Sequence, residues 1–207
     1  MFQSISHKSI IVGVVVLLAI SYFVFGAGDK AVTNYPSQGT DIVAFGDSLV
    51  AGVGSSTGGF VNMLSKDLGV EIVNLGVSGN TTKDALDRVE VLKDYKPKLV
   101  MILLGGNDFL RKVPTEETFA NLEKIVQVVV SQGAVAVLLG VRSGVLSNRY
   151  DEEYERLADK YGAVYVSDVL DGVFGRSNLM YDTIHPNDLG YRVIADRLTP
   201  VIRKLIQ

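Results

Sequence analysis

Asp41-Ile42-Val43-Ala44-Phe45-Gly46-Asp47-Ser48-Leu49 is the stretch on which the fold turns. Ile42 to Phe45 are apolar without polar alternation, as in a strand covered on both faces. The glycine that follows permits a tight turn, and Asp47 and Ser48 are residue types that begin helices. A buried strand running straight into a helix is the opening of a parallel α/β unit.

The pattern repeats toward the C-terminus. Apolar runs at Val70–Asn74, Leu99–Leu104, Ala134–Val141 and Ala163–Val166 predict four more strands after Asp41–Phe45. Between them, Phe60–Leu68, Lys83–Tyr95, Thr115–Ser131 and Arg149–Tyr161 are long enough for crossover helices. Asn187 can cap a last helix from Asp188 toward Lys204, with Pro200 a point of disturbance. The expected architecture is a three-layer α/β/α, flavodoxin-like domain with five parallel strands. In such sheets chemistry collects at the carboxyl ends of the strands.

Three of those ends carry suggestive residues. The first strand leads into Ser48, the second ends in Asn74-Leu75-Gly76-Val77-Ser78-Gly79-Asn80-Thr81, and the third in Gly105-Gly106-Asn107-Asp108. Each also has a plain structural reading: Ser48 as a helix cap, the glycines as a bend, Asn107 as a turn residue. Histidine separates the readings. The chain has two, and His7 precedes a long apolar segment, so a Ser–His mechanism would require His185. Asp182 stands three residues upstream, close enough in a turn to orient the ring and stabilise its charged form.

Other chemistries lack their motifs. Ser48 does not stand in a G-x-S-x-G elbow, since Val50 follows where the second glycine belongs, and there is no S-x-x-K and no G-K-[ST]. Gly52-Val53-Gly54 has Thr57 where a dinucleotide loop needs glycine. The absence of cysteine removes disulfides, thiolate zinc sites, a cysteine nucleophile and a lipoprotein anchor. A net charge of −3 gives no basic face for nucleic acid.

Taken together, Gly46-Asp47-Ser48-Leu49, Gly76, Gly105-Gly106-Asn107-Asp108 and Asp182-Thr183-Ile184-His185-Pro186 resemble, in order, the blocks of the SGNH hydrolase superfamily, the GDSL esterases/lipases. Asn107-Asp108-Phe109-Leu110-Arg111, Pro114, Asn121-Leu122 and His185 to Tyr191 are similar to its bacterial arylesterase, acyl-CoA thioesterase and lysophospholipase branch. Thr183 stands where that branch more often carries glycine. The resemblance implies a serine acyl hydrolase with Ser48 as nucleophile, His185 as base and Asp182 as its orienting partner. It also implies an oxyanion hole from the N–H groups of Ser48 and Gly76 and the Asn107 side chain, with no metal or cofactor. Asp47 is expected to be structural. The substrate class is a small acyl ester, with Leu110, Val145 and Leu146 shaping chain-length preference. Two alternatives are an O-acetylesterase of envelope carbohydrate or peptidoglycan, and a non-catalytic acyl- or glycan-binding module.

Ahead of the domain, Ser9 to Gly28 carry no charge. Twenty helical residues span about 30 Å, the thickness of a bilayer's hydrocarbon core. The run is longer than a signal peptide's apolar region, although Gly26-Ala27-Gly28 resembles a cleavage site. Lys8 before the segment, with Asp29 and Lys30 nearly cancelling after it, favours a cytoplasmic N-terminus and an external domain. The expected organisation is a cytoplasmic segment 1–8, a transmembrane anchor 9–28, a linker 29–39 and a catalytic domain 40–207.

Overall fold

The computed structural model describes residues 31–141 and 148–207. The compact unit runs from Val32 to Gln207. Its strands are β1 (Asp41–Gly46), β2 (Ile72–Gly76), β3 (Pro97–Leu103), β4 (Val135–Leu139) and β5 (Val164–Val166). Every pairing is parallel, in the order β2-β1-β3-β4-β5. The five-stranded parallel sheet expected from the sequence is therefore present.

The helices are α1 (Ser48–Ala51), α2 (Gly59–Leu68), α3 (Thr82–Asp87), α4 (Gly106–Leu110), α5 (Thr115–Ser131), α6 (Asn148–Tyr161) and α7 (Asp188–Ile206). α2 packs against α7, while α5 packs against α3 and α6. The central strands β1, β3 and β4 lie between these groups, and residues such as Val43, Phe45, Leu99, Met101 and Val137 are fully buried. Burial on both faces is why these strands lack a polar alternation.

Several boundaries differ from expectation for local reasons. β2 starts at Ile72 rather than Val70, because Val70 is still bound to the end of α2. Its N–H donates to the Ser65 carbonyl, and its own carbonyl accepts from Ser65 Oγ. The stretch expected as one helix, Lys83–Tyr95, divides at Arg88 into α3 and a 3₁₀ turn over Val89–Asp94. Pro200 lies inside α7 and does not interrupt it. α1 and α4 are too short for their periodicity to be seen.

The expected linker 29–39 also needs correction. Residues 32–39 are bound to the domain, at the amino ends of the strands. Thr33 N–H donates to the Gly162 carbonyl, Asn34 Nδ2 to the carbonyls of Val130 and Ala134, and Ser37 Oγ to that of Gly133. The transmembrane anchor expected at 9–28 lies outside the described residues. Among the described residues no helix is long and apolar enough to cross a membrane.

Strand order matters most at β1. The chain moves from β1 to β2 on one side and then returns to β3 on the other, leaving a crevice at the carboxyl ends of β1 and β3. α1 sits against the end of β2, and the contact is made at Gly76. A Cβ there would lie 2.7 Å from the Val50 carbonyl carbon and would also overlap the Ala51 backbone. Replacing Gly76 with alanine is expected to push α1 off the sheet and lower stability by about 1–3 kcal/mol, the usual cost of overpacking. Urea denaturation of the variant and parent measures this.

Candidate active site

The site begins with the turn after β1. Asp47 is the N-cap of α1, and its Oδ1 accepts the Leu49 N–H at 2.9 Å. That bond leaves the Ser48 N–H, in the first turn of the helix, with no acceptor among the described residues. Ser48 is 6% exposed, at the floor of an apolar cavity.

The second part is the loop before α7. Met180 and Pro186 form an isolated antiparallel bridge, and the Tyr181 N–H donates to the His185 carbonyl at 2.8 Å. Asp182 folds the intervening turn. Its Oδ1 accepts the N–H groups of Ile184 and His185, both at 2.7 Å. Its Oδ2 lies 2.8 Å from His185 Nδ1, and His185 Nε2 lies 3.0 Å from Ser48 Oγ. The hydrogen bond from the His185 ring, followed by the two backbone N–H bonds, lowers the Asp182 carboxyl to a pKa of about 2. An ionised Asp182 accepts from Nδ1–H, which leaves Nε2 to accept from the serine hydroxyl.

Asn107 completes the crevice from α4. Its Nδ2 donates to the Asn80 carbonyl at 2.9 Å and, at a longer 3.3 Å, to Asp47 Oδ2. Ser48, Asn107, Asp182 and His185, chosen from sequence, thus come together. Gly76 is different. The Val77 N–H donates to the Gly46 carbonyl on β1, so alternation along the strand turns the Gly76 N–H toward the free edge of the sheet. There it is held by Asn74 Oδ1 at 2.9 Å. The expected contribution of Gly76 to an oxyanion hole is therefore not met.

A free donor lies three residues further on. Asn80 N–H donates to the Val77 carbonyl, closing a turn with Ser78 and Gly79 at its centre. Gly79 has φ +80°, as the third residue of a type II turn does. Among the described residues its N–H has no acceptor. The sequence signal was available, since Ser78-Gly79-Asn80 reads as such a turn, but the choice between two glycines needed the strand register.

Other functional supports were also missed. Arg88 Nε donates to Asn80 Oδ1 at 2.6 Å, Nη2 donates to the Gly46 carbonyl at 2.9 Å, and the guanidinium lies 4.3 Å from the Phe45 ring centre. It braces the turn that holds Asn107. Asp108, fully buried, accepts the Thr82 N–H at 2.9 Å and the Thr82 hydroxyl at 2.5 Å, fastening α4 to the start of α3. Asp188 accepts from Ser55 Oγ at 2.5 Å, Ser56 N–H at 3.0 Å and Ser56 Oγ at 2.6 Å, joining the histidine loop to the loop after α1. Those bonds hold its carboxyl at about 2.

The cavity over Ser48 has a volume of about 70 Å³ and is walled by Leu49, Phe109, Leu110, Val141, Leu170 and Phe174. Leu110 is placed as expected, whereas Val145 and Leu146 lie outside the described residues. Among the described residues no group of three or more His, Asp or Glu is placed to hold a metal ion.

This fold and the relatives it resembles define a hydrolase of carboxylic esters. The chain belongs to the GDSL-like Lipase/Acylhydrolase family, whose sequence profile matches residues 44–193. It is 33% identical over 181 residues to esterase TesA of Pseudomonas aeruginosa, covering 80% of this chain and 89% of that protein. It is 30% identical over 175 residues to the thioesterase 1/protease 1/lysophospholipase L1 of Escherichia coli, covering 80% and 84%. Among solved structures, that of TesA superposes with a TM-score of 0.73 at 31% identity, over 80% of this chain and 99% of that one. The psychrotrophic esterase EstA from Pseudoalteromonas sp., solved with monoethylphosphonate as inhibitor, gives 0.72 at 27% identity over 79% and 97%.

Asp47 supplies a pH prediction. Burial raises its carboxyl to about 7, against the opposing pull of the Leu49 N–H and of His185. A raised pKa means the folded state binds the proton more tightly than the unfolded state, whose carboxyl titrates near ~3.9. This group's contribution is therefore fully present below about pH 4 and is lost as pH rises through about 7. Asp47→Asn is expected to flatten that decline, measured as the melting temperature of both proteins between pH 4 and 8. The low-pKa carboxyls of Asp182 and Asp188 act in the opposite sense, below about pH 4, and leave this window clear.

Proposed function

We propose that this protein is a serine acyl hydrolase in which Ser48 attacks the ester or thioester carbonyl and His185 accepts its proton. Asp182 holds the imidazole in the tautomer that leaves Nε2 facing the serine and stabilises the imidazolium. The reading rests on one observation above all: the unbroken line from Ser48 Oγ to His185 Nε2 at 3.0 Å and from His185 Nδ1 to Asp182 Oδ2 at 2.8 Å. The tetrahedral oxyanion takes the Ser48 N–H, the Gly79 N–H and the Asn107 amide. Asn107 can turn its weaker bond, the 3.3 Å contact with Asp47, toward the oxyanion while keeping the bond to Asn80. His185 then protonates the leaving alcohol or thiol. Water, activated by the same ring, releases the acyl group from Ser48.

Hydrolysis of p-nitrophenyl butyrate tests the roles. Ser48→Ala is expected to lose essentially all turnover while retaining the parent's fold. Asn107→Ala is expected to lower kcat by about 10²–10³, the cost of removing one oxyanion donor. Full activity in Ser48→Ala would refute the nucleophile.

We also propose that Ser9–Gly28 is retained as a membrane anchor, with the catalytic domain outside the cytoplasm. The support is the uncharged twenty-residue run and the lysine before it. Fractionation of cells expressing the chain with and without residues 1–28 is expected to move activity from membranes to the soluble fraction. Protease accessibility in intact spheroplasts reports the side.

A further inference from the structure

Two cavities meet at one short segment after β5. On one side lies the apolar cavity of about 70 Å³ over Ser48. On the other lies a cleft of about 960 Å³ between β5 and α7, lined by Val164, Val166, Asp171, Arg197 and Val201. Leu170 and Phe174 form part of both walls. The first volume is far below the several hundred Å³ of pockets that enclose larger ligands, and the second is a broad groove open to solvent.

The dividing segment is firmly built. Leu170 and Val173 are buried, while Phe174 is 38% exposed and forms the outer edge. The Asp171 N–H donates to the Asp168 carbonyl, and the N–H groups of Val173 and Phe174 donate to the Leu170 carbonyl. Asp168 has φ +36°, a conformation that a non-glycine residue holds only under constraint. The Leu170 N–H donates to Asp168 Oδ1 and the Val169 N–H to the Gly140 carbonyl, and Arg197, from α7, adds three bonds. Nη1 donates to the carbonyls of Asp168 at 3.0 Å and Val169 at 2.8 Å, and Nη2 to that of Asp171 at 2.8 Å. Three carbonyls on one guanidinium fix the segment's position relative to the catalytic crevice.

We propose that Asp168–Phe174 is a partition that ends the acyl pocket, making this protein selective for short acyl groups, and that Arg197 holds it closed. The proposal rests on the reading that the acyl group of the substrate enters the cavity over Ser48. A chain of two to four carbons is accommodated before it reaches Leu170 and Phe174. A longer chain needs the space beyond them. Removing the Phe174 ring opens one cavity into the other.

The test is an acyl series of p-nitrophenyl esters from acetyl to dodecanoyl, which keeps the leaving group constant, on the parent, Phe174→Ala and Arg197→Ala. Each protein is also titrated calorimetrically with decanoate, which requires no turnover. The parent is expected to prefer acyl groups of two to four carbons over longer ones and to give no decanoate heat. Phe174→Ala is expected to raise the octanoyl-to-butyryl ratio of kcat/KM by at least about tenfold, since methylenes in an apolar pocket are each worth about that much or more. It should also gain decanoate binding. Arg197→Ala, which leaves both wall side chains in place, should shift the ratio in the same direction by a smaller factor. Circular dichroism establishes that both variants are folded.

A parent that prefers octanoyl esters overturns the proposal. So do folded variants with the parent's profile and no decanoate heat. If the parent hydrolyses no ester, the acyl-hydrolase reading fails, and the decanoate titrations alone decide the partition.

Discussion

The buried carboxylate of Asp47 is the constraint on which the site depends. At 3% exposure it has little water to solvate it, so its oxygens are satisfied by the protein. One takes the Leu49 N–H and sets the start of α1. The other faces the Asn107 amide and ties the end of β1 to the end of β3. The same acid that caps the helix of Ser48 therefore also locates the Asn107 amide, sixty residues away. Its raised pKa is the energetic cost of that position, because desolvation disfavours the charge that the capping bond favours.

The histidine side is built with similar economy. Asp182 uses one oxygen to close the turn that carries His185 and the other to orient the ring. Local chain geometry thus sets the imidazole without help from a distant element. What a distant element must supply is the distance to Ser48. Asp188 does so by holding Ser55 and Ser56, and the Tyr191 hydroxyl adds a bond to the Val53 carbonyl at 2.8 Å. These bonds fasten the loop after α1 to the first turn of α7. The 3.0 Å contact between Ser48 and His185 is the product of both ends being fixed.

Much of the sheet was legible because its strands are buried on both faces and its helices are separated by glycines and caps. The limits of α5 (Thr115–Ser131) follow from its sequence, since Pro114 precedes it and Gly133 closes it within one turn. The division at Arg88 was not legible. Arg88 is a good helix former, but its guanidinium is drawn to Asn80 and Gly46, contacts eight and forty-two residues away. Residues 32–39 read as a linker because their composition is polar. Their bonds to carbonyls near residues 130–134 and 162 are long-range and leave no local pattern.

By itself the sequence determined the strand–helix alternation, the serine at the first strand's end and the pairing of that serine with His185. One histidine in the domain left no rival, and an acid three residues before it needed only a turn. The tertiary structure decided which backbone donors remain free and where the cavity ends. Gly76 loses its N–H to Asn74 because β2 lies at the edge of the sheet, with its alternate amides facing no strand. Gly79 keeps its N–H because it occupies the middle of a turn. The wall at Leu170 and Phe174 is set by a guanidinium from the last helix. The physical reason is common to all three. The direction of an amide and the far wall of a cavity depend on neighbours brought together by strand order, which no local stretch of residues encodes.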